Sequence, residues 1–313
     1  MIFTNKEYLK PAVYGLMVAD ALGVPFEFKE RDSFKVEGMS GYGTHHQPSG
    51  TWSDDSSMML ATLDSFLSCE GFNYEDIMQR FSNWFHKGDY TPYGECFDIG
   101  HTTLNAILRF DEGRNPTSCG GRRVMDNGNG SLMRILPVAF VKHTVDDILN
   151  LSSLTHGHEI SLMCCRLYVQ LLENLMKGMD KDEAVSKLPC CVDECENIPF
   201  MKGRDRKTIR SGGYVADTFE AAVWAFMNTE TYKDCVVSAV ELGDDTDTVA
   251  AIAGGLAGVY YGIGGKKGIP QEWIDVISRK EWVEDMINKA ILRTVLFSRG
   301  KVGEFCVVTN QIP

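Results

Sequence analysis

Gly243-Asp-Asp-Thr-Asp-Thr-Val-Ala-Ala-Ile-Ala-Gly-Gly-Leu-Ala-Gly-Val-Tyr-Tyr-Gly262 is the stretch on which the fold turns. Three carboxylates, Asp244, Asp245 and Asp247, open directly into an apolar run of small residues. Ala250, Ala251, Ala253, Gly254, Gly255, Ala257 and Gly258 suit a central helix pressed closely by neighbours, although its glycines lower intrinsic helix propensity. The acidic cluster then stands at the N-terminus of a buried helix, where the dipole favours negative charge. A dipole does not neutralise three carboxylates leaving water, so a cation is the natural partner.

A second acidic helix start lies far upstream, in Gly50-Thr-Trp-Ser-Asp-Asp-Ser-Ser-Met58. Ser53 is a good N-cap, and Asp54 and Asp55 belong in a first turn. Met58, Met59, Leu63 and Phe66 carry that helix inward. Taken singly, each acidic pair reads as a solvated N-terminal turn. Taken together, Asp54, Asp55, Asp245 and Asp247 could converge only around cations, because like charges repel at close range. The nearby ligands, including Ser53 and Thr248, are oxygens, which select Mg²⁺ or Mn²⁺ over zinc.

Helical spacing continues along the chain. Ala12, Gly15, Leu16, Ala19 and Leu22 share one face of a helix over 11–22, which Gly23 and Pro25 stop. Further helices are expected over 74–86, 101–110, an apolar segment from about 131 through Val141, 145–154, 158–177, 180–187, 217–228 and 231–242. Two more short ones are expected near 270–279 and 281–295, and a short strand near 304–308. Alternation of period two is scarce and no βαβ rhythm or repeat appears. The expected fold is therefore all-α: a single compact multi-helix domain over 1–313. Segments 38–50, 90–100 and 114–123 read as long loops. Loops beyond about 12 residues are uncommon unless functional, which suggests that they build a site.

Composition narrows the function. The 313 residues, 44% hydrophobic and 24% charged, are those of a soluble globular protein. A net charge of −12 argues against a nucleic-acid surface but not against a phosphate-bearing ligand held by backbone N–H groups. Met1-Ile-Phe-Thr-Asn-Lys-Glu7 carries no apolar signal core, and no run reaches the roughly 18 apolar residues of a membrane span. The ten cysteines form no regular disulfide framework, which points to a reducing cytoplasm. Cys190, Cys191 and Cys195 lack the second Cys/His pair that a zinc site needs.

Four further positions have two readings each. Asn127-Gly-Asn-Gly-Ser131 is an anion cradle or a plain helix-entry turn. His156 is a ligand contact or a structural histidine. Tyr214 stacks on a base or ribose, or packs in the core. Glu27 is a catalytic carboxylate or a solvated loop residue.

In their order and spacing these segments resemble the ADP-ribosylglycohydrolase family. The pieces are Gly15-x4-Asp20-Ala-Leu-Gly23 with Glu27, Ser53-Asp-Asp-Ser56-x-Met58, Asp98-Ile-Gly100, Gly128-Asn-Gly-Ser131-Leu-Met-Arg134, Leu154-Thr-His156, Gly213-Tyr-Val-Ala-Asp217 and Gly243-Asp-Asp245-Thr-Asp247-Thr248. The resemblance implies an all-α hydrolase with two divalent cations, Mg²⁺ or Mn²⁺. On it, Ser53, Asp54, Asp55, Asp245, Asp247 and Thr248 match the metal ligands, and Glu27 matches a glutamate beside them. Catalytic roles are expected of Glu27, Asp54, Asp55 and Asp245. Gly128, Asn129, Gly130 and Ser131 match the ADP-ribose loop, His156 a ribose-region histidine and Tyr214 a ligand-stacking position. Two departures stand out: Ser-Asp-Asp-Ser replaces the usual Thr-Asp-Asp-Thr, and Asp244 replaces a usual glycine.

The implied activity is removal of ADP-ribose from a modified protein side chain, releasing ADP-ribose. Asp98 resembles the aspartate of the arginine-type enzymes, and the linkage expected is therefore to arginine. Asp98 as a cap for the helix near His101 is the alternative. Two other functions fit the same family: hydrolysis of free small ADP-ribosyl compounds, and a non-catalytic, crystallin-like ADP-ribose-binding or structural protein.

Overall fold

Two helices from opposite ends of the chain make the central contact. In the computed structural model, which describes residues 1–189 and 197–299, α1 (Lys6–Gly23) lies along the small-residue face of α10 (Thr246–Tyr261). The approach is so close that a Cβ added at Gly254 would stand 2.2 Å from the Gly15 carbonyl oxygen. One added at Gly15 would stand 2.3 Å from the Gly254 oxygen. The glycines lower helix propensity but permit backbone-to-backbone packing, and packing decides. Thr246 Oγ1 donates to Gly23 O at 2.9 Å and pins the start of α10 to the end of α1.

The rest of the chain wraps this pair: α2 (Asp54–Ser68), α3 (Tyr74–Lys87), α4 (His101–Asp111), α5 (Val145–Ser153), α6 (Glu159–Met176) and α7 (Lys181–Ser186). It continues with α8 (Val215–Met227), α9 (Tyr232–Val240), α11 (Gln271–Val276) and α12 (Lys280–Arg299). Among the described residues β structure is confined to isolated bridges, such as Gly128 with Tyr214. Buried apolar side chains form one connected cluster from Phe3 to Ala290. Within the described residues no helix is long and apolar enough to cross a membrane.

The sequence periodicity places most helices within a few residues of their observed bounds. The apolar segment after Ser131 differs. It forms turns and then a 3₁₀ helix over Leu136–Phe140, with Pro137 in its first turn. Proline lacks the N–H and crowds the carbonyl four residues back, so an α-helix cannot run through it. The expected strand near 304–308 and the cysteines at 190, 191 and 195 lie outside the described residues.

Gly254→Ala is expected to lower the melting temperature, despite the gain of about 1 kcal/mol in helix propensity. The new methyl meets backbone, which cannot rotate away, and overpacking of this kind costs roughly 1–3 kcal/mol or more. A thermal melt that rises would show that propensity outweighs the close approach.

Candidate active site

The acidic starts of α2 and α10 meet at the C-terminal end of α1. Ser53 is the N-cap of α2: its hydroxyl accepts from the Asp55 N–H at 3.3 Å and donates to Asp55 Oδ2 at 2.9 Å. Asp20, from α1, holds this turn in place. Its carboxylate accepts from the N–H groups of Ser53 and Ser56 at 3.0 and 3.1 Å, and from the Ser56 hydroxyl at 2.5 Å. On the other side, Thr248 Oγ1 donates to Asp55 Oδ2 at 3.3 Å, joining α10 to α2.

The loop before α10 is fixed by backbone and by one arginine. The Phe28 N–H donates to Asp244 O at 2.7 Å, and the Asp244 N–H to Lys29 O at 3.0 Å. Arg31 donates to the carbonyls of Leu242, Arg206 and Ile209 at 2.8, 2.8 and 2.5 Å, tying three segments behind the acidic loop. Asp244 has φ of 59° and is exposed, so its carboxylate lies apart from the buried ones. A left-handed backbone at this position is the physical reason that glycine suits it.

The result is a concentration of buried acids. Ligand oxygens of Asp20, Asp55 and Asp247 lie within 4.8 Å of one another, as do those of Glu27, Asp245 and Asp247. Asp247 belongs to both triads. Asp54 lines the cavity beside them and is in neither. Burial first, then neighbouring carboxylates, push Asp54, Asp55 and Asp247 well above the usual carboxylate range. Burial likewise pushes Glu27 up to about 7, against the hydrogen bond from His45. Asp55 Oδ1, Asp245 Oδ1 and Asp247 Oδ2 are buried with no hydrogen-bond partner among the described residues. Buried anionic oxygens left without a partner are costly. An oxygen-rich set with unsatisfied anionic atoms fits hard divalent cations.

A cavity of about 410 Å³ opens above the acids. Glu27, Phe28, Asp54, Asp98, Asp245 and Thr248 line it together with Gly128, Asn129, Gly130 and His156. The first turn of α4, Gly100 to Thr103, forms a wall. Gly130 must be small: a Cβ there would lie 2.7 Å from Thr103 Oγ1 and 2.9 Å from His156 Cε1. Burial first, then the Arg134 charge, hold His156 down to about 3, so its ring is neutral. Its Nδ1 lies 2.9 Å from Thr155 Oγ1.

Asn129 links its loop to the acids, its side chain donating to Asp245 Oδ2 at 2.7 Å and its N–H to Gly213 O at 3.1 Å. Ser131 turns inward, accepting from the Ser152 hydroxyl at 2.9 Å. Tyr214 is half-buried next to the cavity-lining Gly213 and pairs its backbone with Gly128. No α-helix follows this loop, so its hold on an anion would rest on close backbone approach rather than on a helix dipole. Asp98 does not cap α4; Gly100 is the N-cap, without a side-chain bond. Asp98 instead lines the cavity, and burial with the Asp245 charge pushes its carboxyl up.

Two site residues escaped the sequence reading as functional groups. Asp20 was only part of a motif, and its role depends on a turn from another helix. His45 lies in the 38–50 loop and faces Glu27, its Nε2 against Oε2. The loop's length was the only signal for it.

Comparisons with known proteins give the family and the fold. A family model described as ADP-ribosylglycohydrolase matches residues 4–299. The chain is 35% identical over 294 residues to the ADP-ribosylarginine hydrolase Tri1 of Pseudomonas putida (strain GB-1), covering 90% of this chain and 76% of the relative. It is 28% identical over 297 residues to the ADP-ribosyl-dinitrogen reductase glycohydrolase of Rhodospirillum rubrum, covering 90% and 92% of the two. A solved structure titled as an ADP-ribosylglycohydrolase-related protein complex superposes with a TM-score of 0.79 at 29% identity, covering 93% of this chain and 98% of that one.

Proposed function

The chain belongs to the ADP-ribosylglycohydrolase family, and on that premise we propose that it hydrolyses the bond between ADP-ribose and an arginine side chain of a modified protein. The observation that carries the proposal is a cluster of buried carboxylates with orphaned oxygens beside a cavity large enough for a ligand. Asp55, Asp245 and Asp247 would hold two divalent cations together with Ser53, Asp54 and Thr248, with Asp20 and Glu27 beside them. When bound, such cations orient ribose hydroxyls and lower the pKa of a bound water.

The chain's own groups divide the remaining work. Gly128, Asn129 and Gly130 bring backbone close to the diphosphate, with Gly130 packed beside Thr103 in the first turn of α4. Neutral His156 lines the ribose region, and Tyr214 stands beside Gly213 at the nucleoside end. Asn129 keeps Asp245 aimed into the site. Asp98 receives the guanidinium of the leaving arginine through charge-assisted hydrogen bonds. Glu27, which lines the cavity with Asp98, would adjust metal coordination or move a proton as the glycosidic bond breaks through an oxocarbenium-like state.

Cys69, Cys96, Cys119, Cys165 and Cys235 are free thiols, which supports a reducing, cytoplasmic setting. The test is ADP-ribose release from an arginine-modified protein with Mg²⁺, with Mn²⁺ and in EDTA. Release with either metal and background in EDTA is expected. Turnover of free ADP-ribosyl compounds alone, or ADP-ribose binding without turnover, would overturn the proposal.

A further inference from the structure

The loop over 38–50 is folded into a tight turn that laps onto the segment carrying Glu27. The Tyr42 N–H donates to Gln47 O at 2.7 Å, and the His46 N–H to Gly43 O at 3.1 Å, closing the turn on itself. Three successive residues of the turn then grip the neighbouring strand of chain. Gly43 lies flat on Pro25, where a Cβ would fall 1.8 Å from the Pro25 oxygen. Thr44 donates its N–H to Pro25 O at 3.2 Å and its hydroxyl to Glu27 O at 2.6 Å. His45 places Nε2 against Glu27 Oε2. Glu27 is thus held at both its carbonyl and its carboxylate by adjacent residues of one turn.

The imidazole is itself confined. Its centroid lies 6.0 Å from the Phe28 ring and 5.3 Å from the Phe97 ring, one on each flanking segment. Ligand atoms of Glu27, His45 and Asp98 lie within 4.8 Å of one another. His45 thus gives the Glu27 carboxylate a ring-nitrogen partner, while Asp98 and Asp245 face it with like charge.

We propose that His45 is a positioning residue, which fixes the Glu27 carboxylate at the head of the cavity and keeps it beside Asp98. The proposal rests on the glycohydrolase reading of the site, since it acts through Glu27. Outer groups that orient a working carboxylate typically contribute about 10- to 100-fold to activity.

The experiment compares wild type, His45→Ala and His45→Gln in kcat and KM for arginine-linked ADP-ribose, with ADP-ribose affinity and melting temperature in parallel. Glutamine offers an amide N–H at a reach similar to that of Nε2. His45→Ala is expected to lower kcat by about 10- to 100-fold while KM and ADP-ribose affinity stay within about 2-fold. His45→Gln should recover most of the lost kcat. Unchanged kcat in His45→Ala overturns the inference. So does an equal loss in both variants accompanied by a fall in melting temperature, which would mark a purely structural residue. A wild-type chain without arginine-linked turnover would instead remove the reading of the site, and the inference with it.

Discussion

In EDTA, Asp247→Asn is expected to melt above the wild type, and on adding Mg²⁺ or Mn²⁺ it should lose most of the wild type's rise. Asp247 is fully buried and shared by both carboxylate triads, with Oδ2 unpartnered. Without cations its charge faces Glu27, Asp55, Asp98 and Asp245 in a dry environment. An amide of the same shape relieves that repulsion, and a gain of about 1 kcal/mol corresponds to about 1.5 °C in a chain of 313 residues. The wild type gains from metal by mass action, about 2.7 kcal/mol at a hundredfold excess over Kd. Turnover in the variant should fall by about 10²- to 10³-fold or more, the scale for removing a preorganised electrostatic group. Differential scanning calorimetry in EDTA and in Mg²⁺ reads both signs. A variant that melts below the wild type in EDTA yet keeps the full metal-dependent rise would show that Asp247 is structural.

Asp98→Asn should lower kcat/KM for arginine-linked ADP-ribose by about 10- to 100-fold and leave the melting temperature unchanged or slightly raised. A charge-assisted hydrogen bond is worth about 1.5–3 kcal/mol. A carboxylate accepts two parallel N–H groups from a guanidinium, whereas an amide turns one repulsive donor toward it. Stability should not suffer, because Asp98 shares its surroundings with Glu27 and Asp245 and does not cap α4. Serine-linked ADP-ribose, which lacks a cationic leaving group, serves as the control substrate. Equal turnover of the two linkages by wild type, or an Asp98→Asn enzyme of unchanged activity, would remove the arginine assignment.

Much of this site was legible in the sequence because its signals are local. Ser53-Asp54-Asp55 announces a helix start through a cap that bonds two residues ahead, and the structure keeps that bond. The small-residue run after Thr248 announces a closely packed helix, since little else requires so many absent side chains. What stayed hidden depends on partners distant in the chain. Asp20 gains its role from a turn 33 residues on, and His45 from a carboxylate across a loop. Neither relation has a period or a spacing. The segment after Ser131 misled for a different reason: its apolar residues are buried as a helix's would be, but Pro137 and the turns before it change the path.

The pairing of α1 with α10 also sets a clock for synthesis. Gly23 and its partner Thr246 are 223 residues apart. A ribosome adding about 5–20 residues per second delivers that length in roughly 10–45 s. Throughout that interval α1 has been made but lacks its central partner, and residues such as Leu9, Val13, Leu16, Met17 and Leu22 have no completed core to enter. The half-made chain therefore exposes a sticky helix to the crowded surroundings of the ribosome exit. Holdase chaperones bind such apolar segments, and their depletion should reduce the soluble yield of this chain more than its specific activity.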